Sequence, residues 1–105
     1  MFELNKDNFE AEVLQAEGLV LVDYWSPSCE PCKALMPHIE KMMESYGDKI
    51  KFTGLDISKA RRLAIGQKVM GLPVIAIYKD GEKIDEVVAG DASKESVEEM
   101  IKKFV

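Results

Sequence analysis

Hydrophobic positions along the chain form short runs separated by polar turns. Near-continuous apolar runs and weakly alternating stretches predict β-strands, of which the longest runs suit strands buried on both faces. The Asp80-Gly81 pair favours a tight hairpin between the last two strands. The five predicted strands are Phe2 to Leu4, Leu19 to Trp25, Ile50 to Ile57, Val74 to Tyr78 and Lys83 to Ala89.

The segment between the first two strands has the pattern of a short amphipathic helix. Asn5 is a suitable N-cap, and Gly18 provides a stop signal. Phe9, Val13 and Leu14 are expected on one apolar face. The sequence therefore predicts a helix that packs against the sheet.

Three further helices are predicted between and after the strands. One begins around Glu30 and Pro31, continues through Pro37 with a kink, and ends at Gly47. A short helix is predicted from Ala60 to Val69, with a break near Gly66. The apolar stripe of the long helix comprises Leu35, Ile39, Met42, Met43 and Tyr46.

The last helix is predicted to start after Ser93, which is a suitable N-cap. Its apolar face carries Val97, Ile101 and Phe104. The resulting order is β-α-β-α-β-α-β-β-α. Strands separated by helices favour parallel pairing, and the hairpin adds an antiparallel pair. We expect an α/β fold with one mixed five-stranded sheet flanked by four helices on both faces, formed by residues 1–105 as a single domain.

Composition narrows the function classes. The net charge of −5 argues against a nucleic-acid partner, whose phosphates favour a basic surface. Apolar runs such as Leu19 to Val22 are far too short to cross a membrane. The N-terminus carries acids where a signal peptide has a basic start, so a cytoplasmic protein is expected.

The only two cysteines, Cys29 and Cys32, lie where a central strand meets a helix. A disulfide staple, half of a metal site and a redox switch are the alternatives. A permanent staple is not expected in a reducing compartment. A helix N-terminus favours negative charge, so the thiol of Cys29 is expected to ionise readily and attack. Cys32 lies about one turn further in, where it is expected to be more buried and able to resolve a mixed disulfide.

Together with this Cys-Glu-Pro-Cys-Lys motif, an ordered set of residues spans nearly the whole chain. The set comprises Val-Asp-Tyr-Trp before the motif, Pro37 in the helix, Gly71-Leu72-Pro73 before a strand, the Asp80-Gly81 turn, and Gly90 after the final strand. With these features the sequence resembles the thioredoxin family. A Cys-x-x-Cys pair near a β-α-β pattern is the family's local signature.

The resemblance implies a thiol–disulfide oxidoreductase and assigns roles to individual residues. Asp23 matches the buried acid that moves the proton of the second cysteine, and burial is expected to raise its pKa toward neutrality. Pro73 matches the family's cis-proline, which leaves the backbone of Leu72 free to pair with a client. Trp25, Gly71, Leu72 and Gly90 are expected to form an apolar contact surface, although Trp25 also suits simple core packing.

The same resemblance implies the partners. Client proteins with disulfides and a flavoprotein thioredoxin reductase are expected, with no nucleic acid and no membrane. The electrons pass through the disulfide of Cys29 and Cys32, so no bound cofactor or metal is expected. We also expect a monomer.

The sequence departs from the family pattern beside the motif. Thioredoxins usually carry tryptophan and glycine where Ser28 and Glu30 stand, and Pro31 keeps its usual place. Glu30 places a negative charge beside Cys29, and we expect the helix dipole to outweigh this screened carboxylate. Many thioredoxins also carry a lysine at the position of Gly54. Either Asp23 lacks a cationic neighbour, or Lys51 or another lysine substitutes.

Three alternative functions remain open from sequence. A zinc module is disfavoured because two cysteines and one histidine, His38, provide too few ligands. A redox-inactive binding domain would not need both cysteines. A disulfide oxidase or isomerase usually works in an oxidising compartment, for which the sequence offers no export signal.

Overall fold

The computed structural model describes residues 1–105 and contains one mixed five-stranded sheet. The strand order across the sheet is β1-β3-β2-β4-β5, so β2 is central. β3 pairs in parallel with both β1 and β2, and β4 pairs antiparallel with β2 and β5. The strands are β1 (Phe2–Leu4), β2 (Leu19–Trp25), β3 (Ile50–Asp56), β4 (Val74–Lys79) and β5 (Glu82–Val88).

Helices cover both faces of this sheet, as the sequence pattern predicts. A π-helical segment spans Glu10–Leu14, and three α-helices follow. Short 3-10 turns occupy Ile57–Lys59 and Ala89–Asp91. The α-helices are α1 (Glu30–Tyr46), α2 (Arg61–Gly66) and α3 (Lys94–Lys102). None of these helices combines the length and apolar character needed to cross a bilayer.

The prediction of parallel pairing for every strand that follows a helix was wrong for β4. Val74 at its start pairs with Tyr24 near the end of β2, so the two strands run in opposite directions. A parallel β4 would begin near Leu19, one strand length away, or roughly 23 Å for seven residues. Residues 57–73, which connect β3 to β4, instead leave the chain at the end of the sheet where β2 and β3 end. The direction of a strand depends on the end of the sheet at which its connection arrives, and the presence of a helix in that connection does not determine it.

The first helix is shorter and wider than the sequence pattern predicts. Asn5 caps the preceding turn, since its Oδ1 accepts hydrogen bonds from the backbone N–H groups of Asp7 and Asn8. Val13 is fully buried, but Leu14 remains 36% exposed. The predicted apolar face was therefore wrong for Leu14, because a π-helix has more residues per turn and rotates this side chain away from the face.

The hairpin between β4 and β5 confirms the turn prediction. Asp80 and Gly81 both have positive φ, 51° and 85°, which suits a two-residue type I′ turn. A Cβ at Gly81 would collide with the carbonyl of Leu14, so glycine is required there by space as well as by conformation. The carboxylate of Asp80 accepts from the N–H of Gly18, which joins the hairpin to the start of β2.

Alternation along β2 divides the core into two layers. Val20, Val22 and Tyr24 pack on the face covered by the π-helical segment and α2. Leu21 packs on the opposite face, which is covered by α1 and α3. By the same alternation, Asp23 is directed to the α1 side of the sheet. The long helix α1 continues through Pro37 to Tyr46, and Gly47 is its C-cap, as predicted.

Candidate active site

The two cysteines lie at the first turn of α1, immediately beyond the end of β2. Cys29 is the N-cap of the helix, and its Sγ accepts a hydrogen bond from the backbone N–H of Cys32 at 3.2 Å. Pro31 occupies the first turn, where its missing N–H costs no helical hydrogen bond. The sulfur of Cys29 therefore sits in the position of a capping acceptor, where backbone N–H groups favour negative charge.

Cys29 and Cys32 form a disulfide, with their Cα atoms 5.3 Å apart. Cys29 is partly exposed, whereas Cys32 is 1% exposed. A client sulfur therefore has access to Cys29 and not to Cys32. This unequal exposure fits the unequal tasks that the sequence suggests for the two residues.

Asp23 is a buried carboxyl group without a partner. Its residue is 1% exposed, and its Oδ2 atom has no hydrogen-bond partner. Burial alone raises the pKa of Asp23 from 3.8 to about 7. A carboxyl group with this pKa exchanges a proton readily near neutral pH.

No lysine replaces the missing cation beside Asp23. Lys51 forms an ion pair with Glu12, and its Nζ lies 4.6 Å from the centroid of the Phe2 ring. No cationic contribution accompanies the burial that raises the Asp23 pKa. Of the two alternatives that the sequence left open, the structure therefore supports an Asp23 without a charged partner.

The loop before β4 has the geometry that the resemblance implies. The Leu72–Pro73 peptide bond is cis, and Pro73 is buried. The carbonyl of Pro73 accepts from the N–H of Ala89 at 2.7 Å, which joins this loop to the segment that carries Gly90. The backbone of Leu72 makes no hydrogen bond within the chain. Its N–H and carbonyl groups are thus available to an extended segment of another molecule.

Trp25, Gly71 and Gly90 differ in their surroundings. Gly71 and Gly90 are exposed, with no other atom near enough to contact a Cβ at either position. Trp25 is half-buried, and its Nε1 would lie 3.6 Å from a Cβ at Gly54. It lines a 230 Å³ cleft together with Gly54 and Lys59. The indole thus packs beside β3 while its position at the end of β2 keeps it near the motif.

The charge of Glu30 is directed into solvent and is partly balanced. The side chain of Glu30 is 83% exposed, and its carboxylate lies 3.3 Å from the Nζ of Lys33. Water screens such an exposed carboxylate, so its effect on the neighbouring sulfur is weak.

Sequence reasoning missed a cleft of 330 Å³ beside the motif. Ser28, which directly precedes Cys29, is part of its wall, and Arg61 is its only charged lining residue. The positive charge beside this cleft was visible in the sequence, because residues 57–79 contain no Asp or Glu. The lining residues are Ser26, Ser28, Ile57, Ser58, Arg61, Ala64, Ile65 and Val69.

A buried hydroxyl network was also missed. The hydroxyl groups of Tyr24 and Tyr78 lie 2.7 Å apart, and the Tyr78 hydroxyl donates to Oε1 of Gln67 at 2.7 Å. Burial, above other causes, raises the pKa of Tyr78 to about 12. The network connects β2, β4 and the end of α2, and no spacing in the sequence marks it.

No group of three or more His, Cys, Asp and Glu side chains is arranged to hold a metal ion. His38 is exposed on α1 and lines a cleft between α1 and α3, away from the cysteines. The two cysteines and the histidine therefore do not form a common ligand set.

Comparison with known proteins gives one consistent result. The family model described as Thioredoxin matches residues 1–103. A thioredoxin of Acetoanaerobium sticklandii is 63% identical over 105 residues, which cover 100% of both chains. A thioredoxin of Peptoclostridium acidaminophilum is 52% identical over 100% of this chain and 96% of its own. A thioredoxin of Bacillus subtilis is 36% identical over 93% of this chain and 91% of its own.

Proposed function

Because the chain belongs to the thioredoxin family and is a thiol–disulfide oxidoreductase, we propose that it reduces protein disulfides through unequal roles of Cys29 and Cys32. The observation that supports these roles most directly is the position of Cys29 as a partly exposed helix cap, with Cys32 buried behind it. A helix N-terminus stabilises the thiolate, which is the attacking form of cysteine.

The reaction consists of two thiol–disulfide exchanges. The thiolate of Cys29 attacks one sulfur of the client disulfide, the client S–S bond breaks, and the other client sulfur leaves as a thiolate that takes up a proton. Cys32 then loses its proton and attacks Cys29 in the mixed disulfide. The second client thiolate leaves, and the Cys29–Cys32 disulfide forms. The client gains two electrons, and the dithiol is oxidised.

Asp23 is proposed as the acceptor of the Cys32 proton. Its carboxyl group lies on the α1 side of the sheet, is buried without a hydrogen-bond partner, and has a pKa of about 7. A base with this pKa is partly ionised at neutral pH and can therefore take up a proton. Burial excludes bulk water from competing for this step.

Client binding is proposed to use the loop before β4. The unpaired backbone groups of Leu72, next to the cis peptide bond at Pro73, suit an extended client segment that pairs as an added strand. Gly71 and Gly90 leave room for close approach, and Trp25 supports the surface from the end of β2.

A thioredoxin reductase is the proposed partner that restores the dithiol, because the family works with a redox-active disulfide and not with a bound cofactor. We propose that residues 1–105 act as a single domain and as a monomer in the cytoplasm, as the sequence predicts. These proposals depend on the family and on the sequence.

An insulin-type disulfide reduction assay tests the proposed roles. Cys29→Ser is expected to abolish reduction and client attachment, since the attacking sulfur is lost. Cys32→Ser is expected to abolish turnover and accumulate a mixed disulfide at Cys29, which mass spectrometry detects. Ser28→Ala is the matched control and should retain turnover. Turnover in Cys29→Ser, or a mixed disulfide formed through Cys32, would refute the assignment.

The ionisation of Cys29 provides a separate test. Alkylation rates of the reduced protein across pH should give a thiolate pKa below that of an ordinary cysteine, about 8.5. Glu30→Gly should lower this pKa only slightly further, because the Glu30 side chain is 83% exposed and paired with Lys33. A wild-type value at or above about 8.5 would show that the helix terminus does not activate Cys29.

A further inference from the structure

The distribution of charge around the cleft at Ser28 is opposite to that of the whole chain. The chain carries 19 acidic and 14 basic residues, yet residues 57–79 hold five lysines or arginines and no acid. Four of these cations, Lys59, Arg61, Arg62 and Lys68, belong to α2 and its flanking turns. This side of the motif is therefore a local cationic surface on an acidic protein.

None of these four cations is engaged by a carboxylate of the chain. The ion pairs involve other lysines, namely Lys33, Lys51, Lys83, Lys94 and Lys103. Asp56, which precedes the cationic segment, instead accepts hydrogen bonds from the backbone N–H and the hydroxyl of Ser58. Arg61 is thus free to bind a carboxylate of another molecule.

The cleft itself connects this free cation to the reacting sulfur. Ser28 is covalently next to Cys29 and lines the same 330 Å³ space as Arg61. Ile57, Ile65 and Val69 provide an apolar wall, and Ile65 is 62% exposed. A volume of this size is at the lower end for a small-molecule site and suits side chains of a bound segment.

Resting on the proposed function, we propose that Arg61 is a specificity-determining residue that selects client segments carrying a carboxylate close to their disulfide. The client disulfide lies at Cys29, its acidic side chain pairs with the Arg61 guanidinium, and an apolar neighbour contacts Ile65. The complementarity of charge identifies the occupant, since an unpaired guanidinium binds a carboxylate with well-defined geometry. Basic client segments are disfavoured by the same surface.

Synthetic disulfide peptides of otherwise identical sequence test this proposal. Glu or Gln is placed in turn at each of the three positions on either side of the attacked cysteine. The rate constant for reduction by the full chain in its dithiol form is measured at low salt. At the best position, the wild type is expected to reduce the Glu peptide up to about fivefold faster than the Gln peptide, as an exposed ion pair permits.

Arg61→Gln should remove this preference, so that the Glu and Gln peptides are reduced at equal rates. Arg62→Gln is the matched control, because it removes the same charge from the neighbouring residue, which does not line the cleft. It should retain most of the preference. High salt should reduce the preference in the wild type, since screening weakens an exposed pair.

A wild type without preference at any position would overturn the proposal. An equal loss in Arg61→Gln and Arg62→Gln would also overturn it, because the effect would then come from the general charge of α2. Failure to reduce both peptides at every position would instead overturn the proposed disulfide reductase function itself. The two failures are therefore distinguishable in one assay.

Discussion

Replacing Asp23 with asparagine should remove a pH-dependent loss of stability from the oxidised protein. Burial raises the pKa of Asp23 from 3.8 to about 7. A carboxyl group that binds its proton more tightly in the folded state destabilises the fold as pH rises. This cost begins above the unfolded pKa, near 4, and is complete above the folded pKa, near 7.

The magnitude follows from the size of the shift. A shift of roughly three pKa units, at 1.36 kcal/mol each, corresponds to about 4 kcal/mol of lost stability above pH 7. Asp23→Asn removes this ionisation. The buried amide introduces a constant cost of about 1–3 kcal/mol if its N–H groups lack partners. The change with pH is therefore the informative quantity, and the absolute difference at one pH is not.

Urea unfolding of the oxidised protein at pH 4 and pH 8 measures this change. The stability of Asp23→Asn relative to wild type should increase by about 3–4 kcal/mol between these values. Asp48→Asn is the matched control, because Asp48 is exposed in a turn and forms no ion pair or side-chain hydrogen bond. Its relative stability should stay nearly constant. An equal Asp23→Asn difference at both pH values would refute the buried-acid argument.

Two further substitutions test the surroundings of the site. Gly54→Lys should lower the Asp23 pKa by about 1–3 units, as a nearby cation does, while Gly54→Gln should not. A Cβ at Gly54 meets no atom closer than 3.6 Å. Carboxyl NMR titration measures the Asp23 pKa, and equal values in the two variants would contradict this expectation. Tyr78→Phe should cost about 1–3 kcal/mol in urea unfolding, because it leaves Tyr24 and Gln67 without their buried partner. Tyr46→Phe, at a part-buried hydrogen bond to Glu98, should cost less than Tyr78→Phe. Equal losses would contradict the importance of the buried network.

The strands and the cysteine pair were predictable because local patterns determine them. The apolar run from Leu19 to Trp25 matches β2 residue for residue, since a strand buried on both faces needs no alternation. The helix start at Glu30 follows from the Pro31 signal, and the hairpin from Asp80-Gly81. Each of these features depends on residues that are adjacent along the chain.

The features that were not predicted depend on contacts between distant segments. The antiparallel direction of β4 follows from the end of the sheet at which residues 57–73 leave the chain, which the order of helices and strands does not determine. The exposure of Leu14 follows from π-helical geometry, and its pattern resembles that of an ordinary amphipathic helix. The absence of a cation at Asp23 required knowing that Lys51 is held by Glu12.

The cleft at Ser28 shows a different kind of omission. Its charge signal, the acid-free segment from 57 to 79, is visible in the sequence. Its meaning required the structure, because only folding places Arg61 in one wall with the residue that precedes Cys29. A charge pattern thus indicates a function once the reacting group beside it is known.

The destabilisation assigned to Asp23 bears on why the residue is an acid. A chain of this size is typically stable by only about 5–15 kcal/mol, so a loss of about 4 kcal/mol above pH 7 is a large fraction. An asparagine or leucine would avoid the ionisation, and most buried residues of the chain are apolar. No ion pair or hydrogen bond within the chain offsets the loss. A buried acid without structural benefit, on the side of the sheet covered by the cysteine helix, is what the proposal that Asp23 accepts the proton of Cys32 requires.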